Sequence, residues 1–207
     1  MWANLLPILL GFVLTTVIGG LFASFLQHRS WQYQNAARLR EEERQKASDV
    51  CQRMTSLVDK RLYRMQRLLW AINGRSNGRI TREMLDSRLR DYDEVLLEWN
   101  DQLNARLAVV GAYFGKDVRD FLDQVVYEAF SEAGRSLEDL LRRAGNSDAS
   151  GPVDEGAVDD ANAEMVRLNH LAYQLGLTMM VRVREQRIGR SAPGVLGETP
   201  LSDTRPR

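Results

Sequence analysis

Side chains that hold metals or act as nucleophiles are scarce. Among 207 residues there is one cysteine, Cys51, and there are two histidines, His28 and His170. A lone cysteine excludes an intrachain disulfide and a cysteine-based zinc site within one chain, and it fits a reducing compartment. The histidines lie too far apart in sequence to begin a metal site or a triad. Scattered Asp and Glu show no ligand spacing, and no Gly-rich loop offers to cradle a phosphate. Neither the serines nor Cys51 have a base beside them in a recognisable pattern. An excess of one charge is lacking too. With 28 basic and 28 acidic side chains, nothing pushes the chain globally towards nucleic acid. The reading is of a non-enzymatic protein with no cofactor and no bound metal.

Charge is missing altogether from Met1 to Gln27, whereas the rest of the chain is dense in it. The run Leu5 to Leu26 has only apolar, small or hydroxyl side chains. As a helix it is about 33 Å long, against roughly 30 Å of bilayer hydrocarbon. Pro7 falls in the first turn, where its missing N–H costs little. Trp2 at one end, and Trp31 and Tyr33 beyond the other, suit a membrane interface. A cleaved signal peptide fits less well, because Met1 to Asn4 has no basic residue and no good cleavage site follows. The expectation is a transmembrane anchor over 1–27. Arg29, Arg38, Arg40, Arg44 and Lys46 then place the C-terminal part on the cytoplasmic side of an inner membrane, with the N-terminus outside.

Gly11, Thr15, Gly19 and Ala23 recur every four residues, with Thr16 and Gly20 in the adjoining row. Small strips let helix backbones approach closely. The expectation is an interhelix face of Gly11, Thr15, Thr16, Gly19, Gly20 and Ala23, through which copies of the chain associate. The plainer alternative is that Gly and Thr are simply common in membrane helices.

From Ala23 to Ile72 there is no Gly or Pro, so the first helix is expected to continue as one rod. Glu42 and Lys46 have the spacing of a local ion pair. An apolar stripe begins at Ala47 and takes in Cys51, Met54, Val58, Met65, Leu69 and Ile72, with Val50, Leu57, Leu62 and Leu68 beside it. Residues 73–78 (NGRSNG) are a turn signal, and Thr81 is a candidate N-cap for the next helix. Leu85, Leu89, Tyr92, Leu96, Trp99, Leu103 and Val110 mark a heptad-like face on one helix antiparallel to the first. Gly111 to Gly115 bends or ends it. Val118, Phe121, Leu122, Val125, Val126, Ala129 and Phe130 follow, with a weak point at Gly134. Residues 145–156 read as a flexible linker. A last helix, bearing Met165, Leu168, Ala172, Leu175, Met179 and Val183, belongs to 157–188, and 189–207 reads as a disordered tail. The fold class is all-α: one transmembrane helix continuing into a long-helix hairpin and cytoplasmic bundle over 28–144, with the last helix packed on it.

Arg53, Lys60, Arg64 and Arg67 share one side of the first helix. They suit an external acidic partner or nucleic acid, or, more simply, the strip of Glu94, Glu98 and Asp101 across the hairpin. Arg75, Arg79 and Arg82 crowd the hairpin tip, where they are either a partner contact or a solvated loop. Arg167 and His170 stand too close together for the Arg–His spacing of helical defence ribonucleases, so His170 reads as a helix-surface residue.

Residues 27–34 (QHRSWQYQ) and 57–64 (LVDKRLYR) resemble a group of small single-pass bacterial membrane proteins. In layout the chain is similar to the membrane accessory protein of RNA-targeting type VI-B CRISPR systems. That resemblance covers about the first seventy residues and implies a ring-shaped homo-oligomer forming a membrane pore in antiphage defence. Thr15 and Thr16 would help line it. The alternative function is a membrane-tethered coiled-coil scaffold that recruits a cytoplasmic protein. The partners expected are the lipid bilayer, other copies of the chain and that unidentified cytoplasmic protein, but not nucleic acid.

Overall fold

The computed structural model describes residues 5–145 and 154–189. Helix α1 runs unbroken from Leu5 to Ser76, as a stretch rich in Ala, Leu, Arg, Glu and Gln should. The chain divides into two units, residues 1–43 and 44–207. The boundary falls inside α1 at Glu43.

In the first unit the described residues are all helical. Phe12, Leu21, Phe22, Phe25, Leu26, Trp31, Tyr33 and Leu39 are exposed. Arg38 pairs with Glu42 at 3.0 Å, in place of the Glu42–Lys46 pair suggested by spacing.

The transmembrane expectation is corrected here. Residues 1–4, and the side chains at 5–10, 13–15, 17 and 18, lie outside the described residues. Among the described residues no helix is long and apolar enough to cross a membrane. The uncharged opening runs on into the charged part of the chain, as expected of one rod. It forms the first turns of a 72-residue helix that is rich in charge from Arg29 onward. The lipid-bilayer partner, the inner-membrane location, the inside–outside topology, the pore and the membrane-tethered scaffold fall with the anchor.

In the second unit α1 is joined by α2 (Arg82–Asp101), α3 (Leu103–Phe114), α4 (Lys116–Asp120), a π-helical segment (Phe121–Tyr127), α5 (Glu128–Gly145) and α6 (Glu155–Arg184). The turn at 77–81 reverses the chain. Lys60 Nζ donates to Glu98 Oε2 at 2.6 Å and Arg64 Nη1 donates to Asp91 Oδ2 at 2.9 Å. Position rises along one helix as it falls along the other, so α1 and α2 are antiparallel. Thr81 caps α2, its hydroxyl accepting from the Met84 N–H, which satisfies one of the orphan donors of the first turn.

The core is built on α1. Ala47, Cys51, Met54, Leu57, Val58, Leu62, Met65, Leu68, Leu69 and Ile72 are all buried, which is the expected stripe at helical spacing. Leu85, Tyr92, Val95 and Trp99 of α2, Val110 and Phe114 of α3, and Leu122, Val126, Phe130, Leu137 and Leu140 further on belong to the same cluster. Met165, Leu168, Ala172, Leu175 and Met179 of α6 complete it. Much of the heptad-like face of α2–α3 is thus buried within one chain, which removes its use as a coiled-coil seam between copies.

Three local details depart from the pattern. Helix breaks at Gln102 (φ −123°, ψ 13°), where there is neither Gly nor Pro. Residues 121–127 adopt the wider π geometry, with i→i+5 bonds that shift the side-chain phase, and Val125 turns outward to 39% exposure. Gly134 does not weaken α5. It lies inside the helix under the Tyr92 hydroxyl, which is 3.2 Å from where a Cβ would stand. Gly115, at φ +89°, ends α3 as expected of a glycine. Helix α6 starts at Glu155, capped by Asp154 accepting from the Gly156 N–H. Most of the expected linker, 146–153, and all but Gly189 of the expected tail lie outside the described residues.

Candidate functional site

A groove of about 750 Å³ opens between α1 and α2–α3 in the second unit. Val50, Met54 and Leu57 on α1, and Val109 and Val110 on α3, give it an apolar floor. Asp49, Arg53 and Lys60 from α1, and Glu98 and Arg106 from α2 and α3, rim it. Its cause is local. At Gln102 one helix ends and the next begins, and the residue on the α3 wall one turn beyond is only Ala105. Opposite, Ser56 is equally short. The two walls therefore cannot interdigitate as they do further along, where Trp99 is fully buried.

Beneath that surface lies an unusual buried cation. Arg61 of α1 is 2% exposed, with its guanidinium 5.0 Å from the Trp99 ring centroid and 4.9 Å from that of Phe130. The two rings are 5.9 Å apart and tilted by 37°. Nε and Nη1 of Arg61 have no hydrogen-bond partner, and the Tyr92 hydroxyl beside the guanidinium supplies the polar contact. Burial lowers the Arg61 pKa below its ordinary range, opposed by Tyr92. Burial likewise raises the Tyr92 hydroxyl, opposed by Arg61. The faces of Trp99 and Phe130 attract the cation through their quadrupoles.

A second buried arginine is held differently. Arg182 of α6 donates from Nη1 to Asp117 Oδ1 at 3.0 Å, from Nη2 to Asp117 Oδ2, and from Nη1 to the Phe114 carbonyl. It fixes the end of α6 to the α3–α4 corner with a bidentate fork. Beside it, Asp117, Val118, Phe121, Gln174, Leu177 and Thr178 line a shallower opening of about 320 Å³.

The residues singled out from sequence are dispersed. Gly11, Thr16, Gly19, Gly20 and Ala23 are exposed on the first unit, while the Thr15 side chain lies outside the described residues. A Cβ at Gly11, Gly19 or Gly20 would meet no neighbouring atom, and the Thr16 hydroxyl donates to the Phe12 carbonyl of its own helix. Arg75 is half-buried at the end of α1, and Arg79 and Arg82 are exposed at the tip. Of the basic strip, Lys60 and Arg64 pair within the chain, Arg64 with Asp91 and not with Glu94. His170 is exposed and shares a hydrogen bond with Gln174 at 3.1 Å. Cys51 is a free, buried cysteine whose thiol pKa is raised by burial. Among the described residues no group of three or more His, Cys, Asp or Glu side chains could hold a metal ion. Arg61 and Arg182 carried no sequence signal, since arginines read as surface residues unless a partner is visible.

No protein-family model, no curated protein and no solved structure matches the chain. The likeness to the CRISPR membrane accessory protein is therefore corrected, and with it the ring-shaped homo-oligomer, the pore and the role in antiphage defence. The segments 27–34 and 57–64 are short, charge-rich pieces of one long helix, and in the second of them Leu57, Arg61 and Leu62 are core residues and Lys60 an ion-pair partner. Their composition follows from packing and helix propensity.

Proposed function

We propose that residues 44–189 are a non-enzymatic binding module whose groove between α1 and α2–α3 takes one amphipathic helix of a partner protein. The observation that carries this is the groove itself: an apolar floor between α1 and α2–α3, with Val109 exposed on it. From Asp49 to Lys60 the α1 wall spans three turns, or about 17 Å, a length suited to apolar anchors at i, i+3 or i+4, and i+7. The lining has no histidine, cysteine or tyrosine, and its one hydroxyl, Ser56, has no base beside it, so binding is better supported than catalysis.

The test is selection of random helical peptides, displayed on phage, against the whole chain. Enriched peptides should carry three apolar residues on one edge. Val109→Glu, which puts a charge on the floor, and Ala105→Trp, which fills the space, should each weaken them at least tenfold while the helical circular dichroism is unchanged. Failure to enrich, or binding indifferent to both substitutions, overturns the reading.

A further inference from the structure

The ion pairs that join α1 to α2 form a ladder. Arg64 meets Asp91 and, one turn back on α1 and two turns on along α2, Lys60 meets Glu98. The next rung breaks the rule. Seven residues back from Lys60 along α1 is Arg53, and eight residues on from Glu98 is Arg106. Arg53 on α1 and Arg106 on α3, past the break at Gln102, thus line opposite walls of the same groove. Arg106 has a single long hydrogen bond, Nη2 donating to Gln102 Oε1 at 3.4 Å, and neither arginine forms an ion pair among the described residues. Asp49 also lines the groove one turn from Arg53 without pairing to it. With Lys60 and Glu98 matched to each other, the unmatched charges on the rim are two positive and one negative. The rim therefore carries a net positive charge that an acidic group on a bound helix would complement.

Resting on the helix-binding reading of the groove, we propose that Arg53 and Arg106 are its specificity-determining pair: they read an Asp or Glu carboxylate flanking the apolar edge of the partner helix. Guanidinium groups from both walls can each donate to one carboxylate, while the apolar floor buries the anchors. The pair also sets direction. It sits towards one end of the groove, and the matched Lys60–Glu98 rung lies towards the other, so a helix with one acid has a single favourable polarity.

The same displayed-peptide selection decides it. Binders should carry an acid at one fixed position beside the apolar edge. Arg53→Glu with Arg106→Glu should weaken them by about tenfold or more, as loss of an interfacial charge pair does. A peptide with Lys in place of that acid should recover binding to the reversed protein, a rescue that general damage to the fold cannot produce. Arg53→Gln with Arg106→Gln should fall between, with weaker dependence on ionic strength. If the peptides bind the groove, as judged by Val109→Glu, but show no fixed acid, or tolerate the charge reversal within about twofold, the charge reading is wrong and the groove reading stands. If nothing binds, both are wrong.

Discussion

Two arginines are buried in the same bundle, and they are stabilised by opposite means. Arg182 has the full complement expected of a buried cation: a bidentate carboxylate and a backbone carbonyl. Arg61 has no carboxylate, two nitrogens without partners, and a pair of aromatic faces. A charge removed from water loses several kcal/mol of hydration. At Arg182 hydrogen bonds offset that loss, and the exposed edge of Asp117 keeps water near. At Arg61 the offset is two cation–π contacts and one hydroxyl, each worth about 0.5–2 kcal/mol. The comparison separates a residue that holds two helices together from one whose burial is a net cost, tolerated because its position on α1 brings α2 and α5 to the same point.

The largest effect should come from dismantling the aromatic cage. Trp99 is fully buried and touches both the cation and Phe130, so Trp99→Ala leaves a cavity and a bare guanidinium. Urea denaturation followed by circular dichroism should show a loss of about 3–5 kcal/mol. A loss below about 1 kcal/mol would mean that the cage is not the centre of the core. Next comes Asp117→Ala, which strands Arg182 with only the Phe114 carbonyl. Because Asp117 is itself 61% exposed, the cost is discounted to about 1–2 kcal/mol. The third prediction has the opposite sign. Arg61→Met keeps an unbranched chain between the two rings and removes the charge, so stability should hold or rise by about 1 kcal/mol. A fall of more than about 2 kcal/mol would show that the rings stabilise the cation more than burial penalises it, and the contrast between the arginines would disappear.

How much of this could be read from the residues alone follows from what periodicity can see. The stripe Cys51, Met54, Val58, Met65, Leu69 and Ile72 repeats at helical spacing and is buried as expected, as are Met165, Leu168, Leu175 and Met179 on α6. Thr81 was legible because its cap depends on three neighbouring residues. The break at Gln102 was not, because it uses no Gly or Pro and depends on how α2 and α3 meet the rest of the core. The groove follows from that break and was equally hidden. Gly134 was misread as a weak point because sequence shows a missing side chain but not the Tyr92 ring that needs its absence. The opening stretch misled in a different way: the continuous rod was legible and α1 is one helix of 72, but the uncharged run at its start was taken for a membrane span and no described helix is long and apolar enough for one. Arg53 was grouped with Lys60 and Arg64 in a basic strip, of which only those two pair across the hairpin, and Arg106 only becomes meaningful once the two helices are placed in register.

The smallest effect tests the one hydrogen-bonding group in the Arg61 cage. Tyr92→Phe removes the hydroxyl beside the guanidinium and leaves the ring, at a cost of about 1 kcal/mol near neutral pH. The diagnostic is alkaline pH. Burial raises the Tyr92 pKa above its ordinary range, with Arg61 opposing, so the folded chain holds that proton more tightly than the unfolded one. Its contribution is therefore complete below the unfolded value of roughly 10 and is lost as pH rises through the higher folded value. The denaturation midpoint of the parent protein should fall more steeply above that pH than the midpoint of Tyr92→Phe, and the two curves should converge. Parallel curves would show that ionising Tyr92 costs the fold nothing. In that case the phenolate would be pairing with Arg61 much as Asp117 pairs with Arg182, and the cage would hold a latent ion pair.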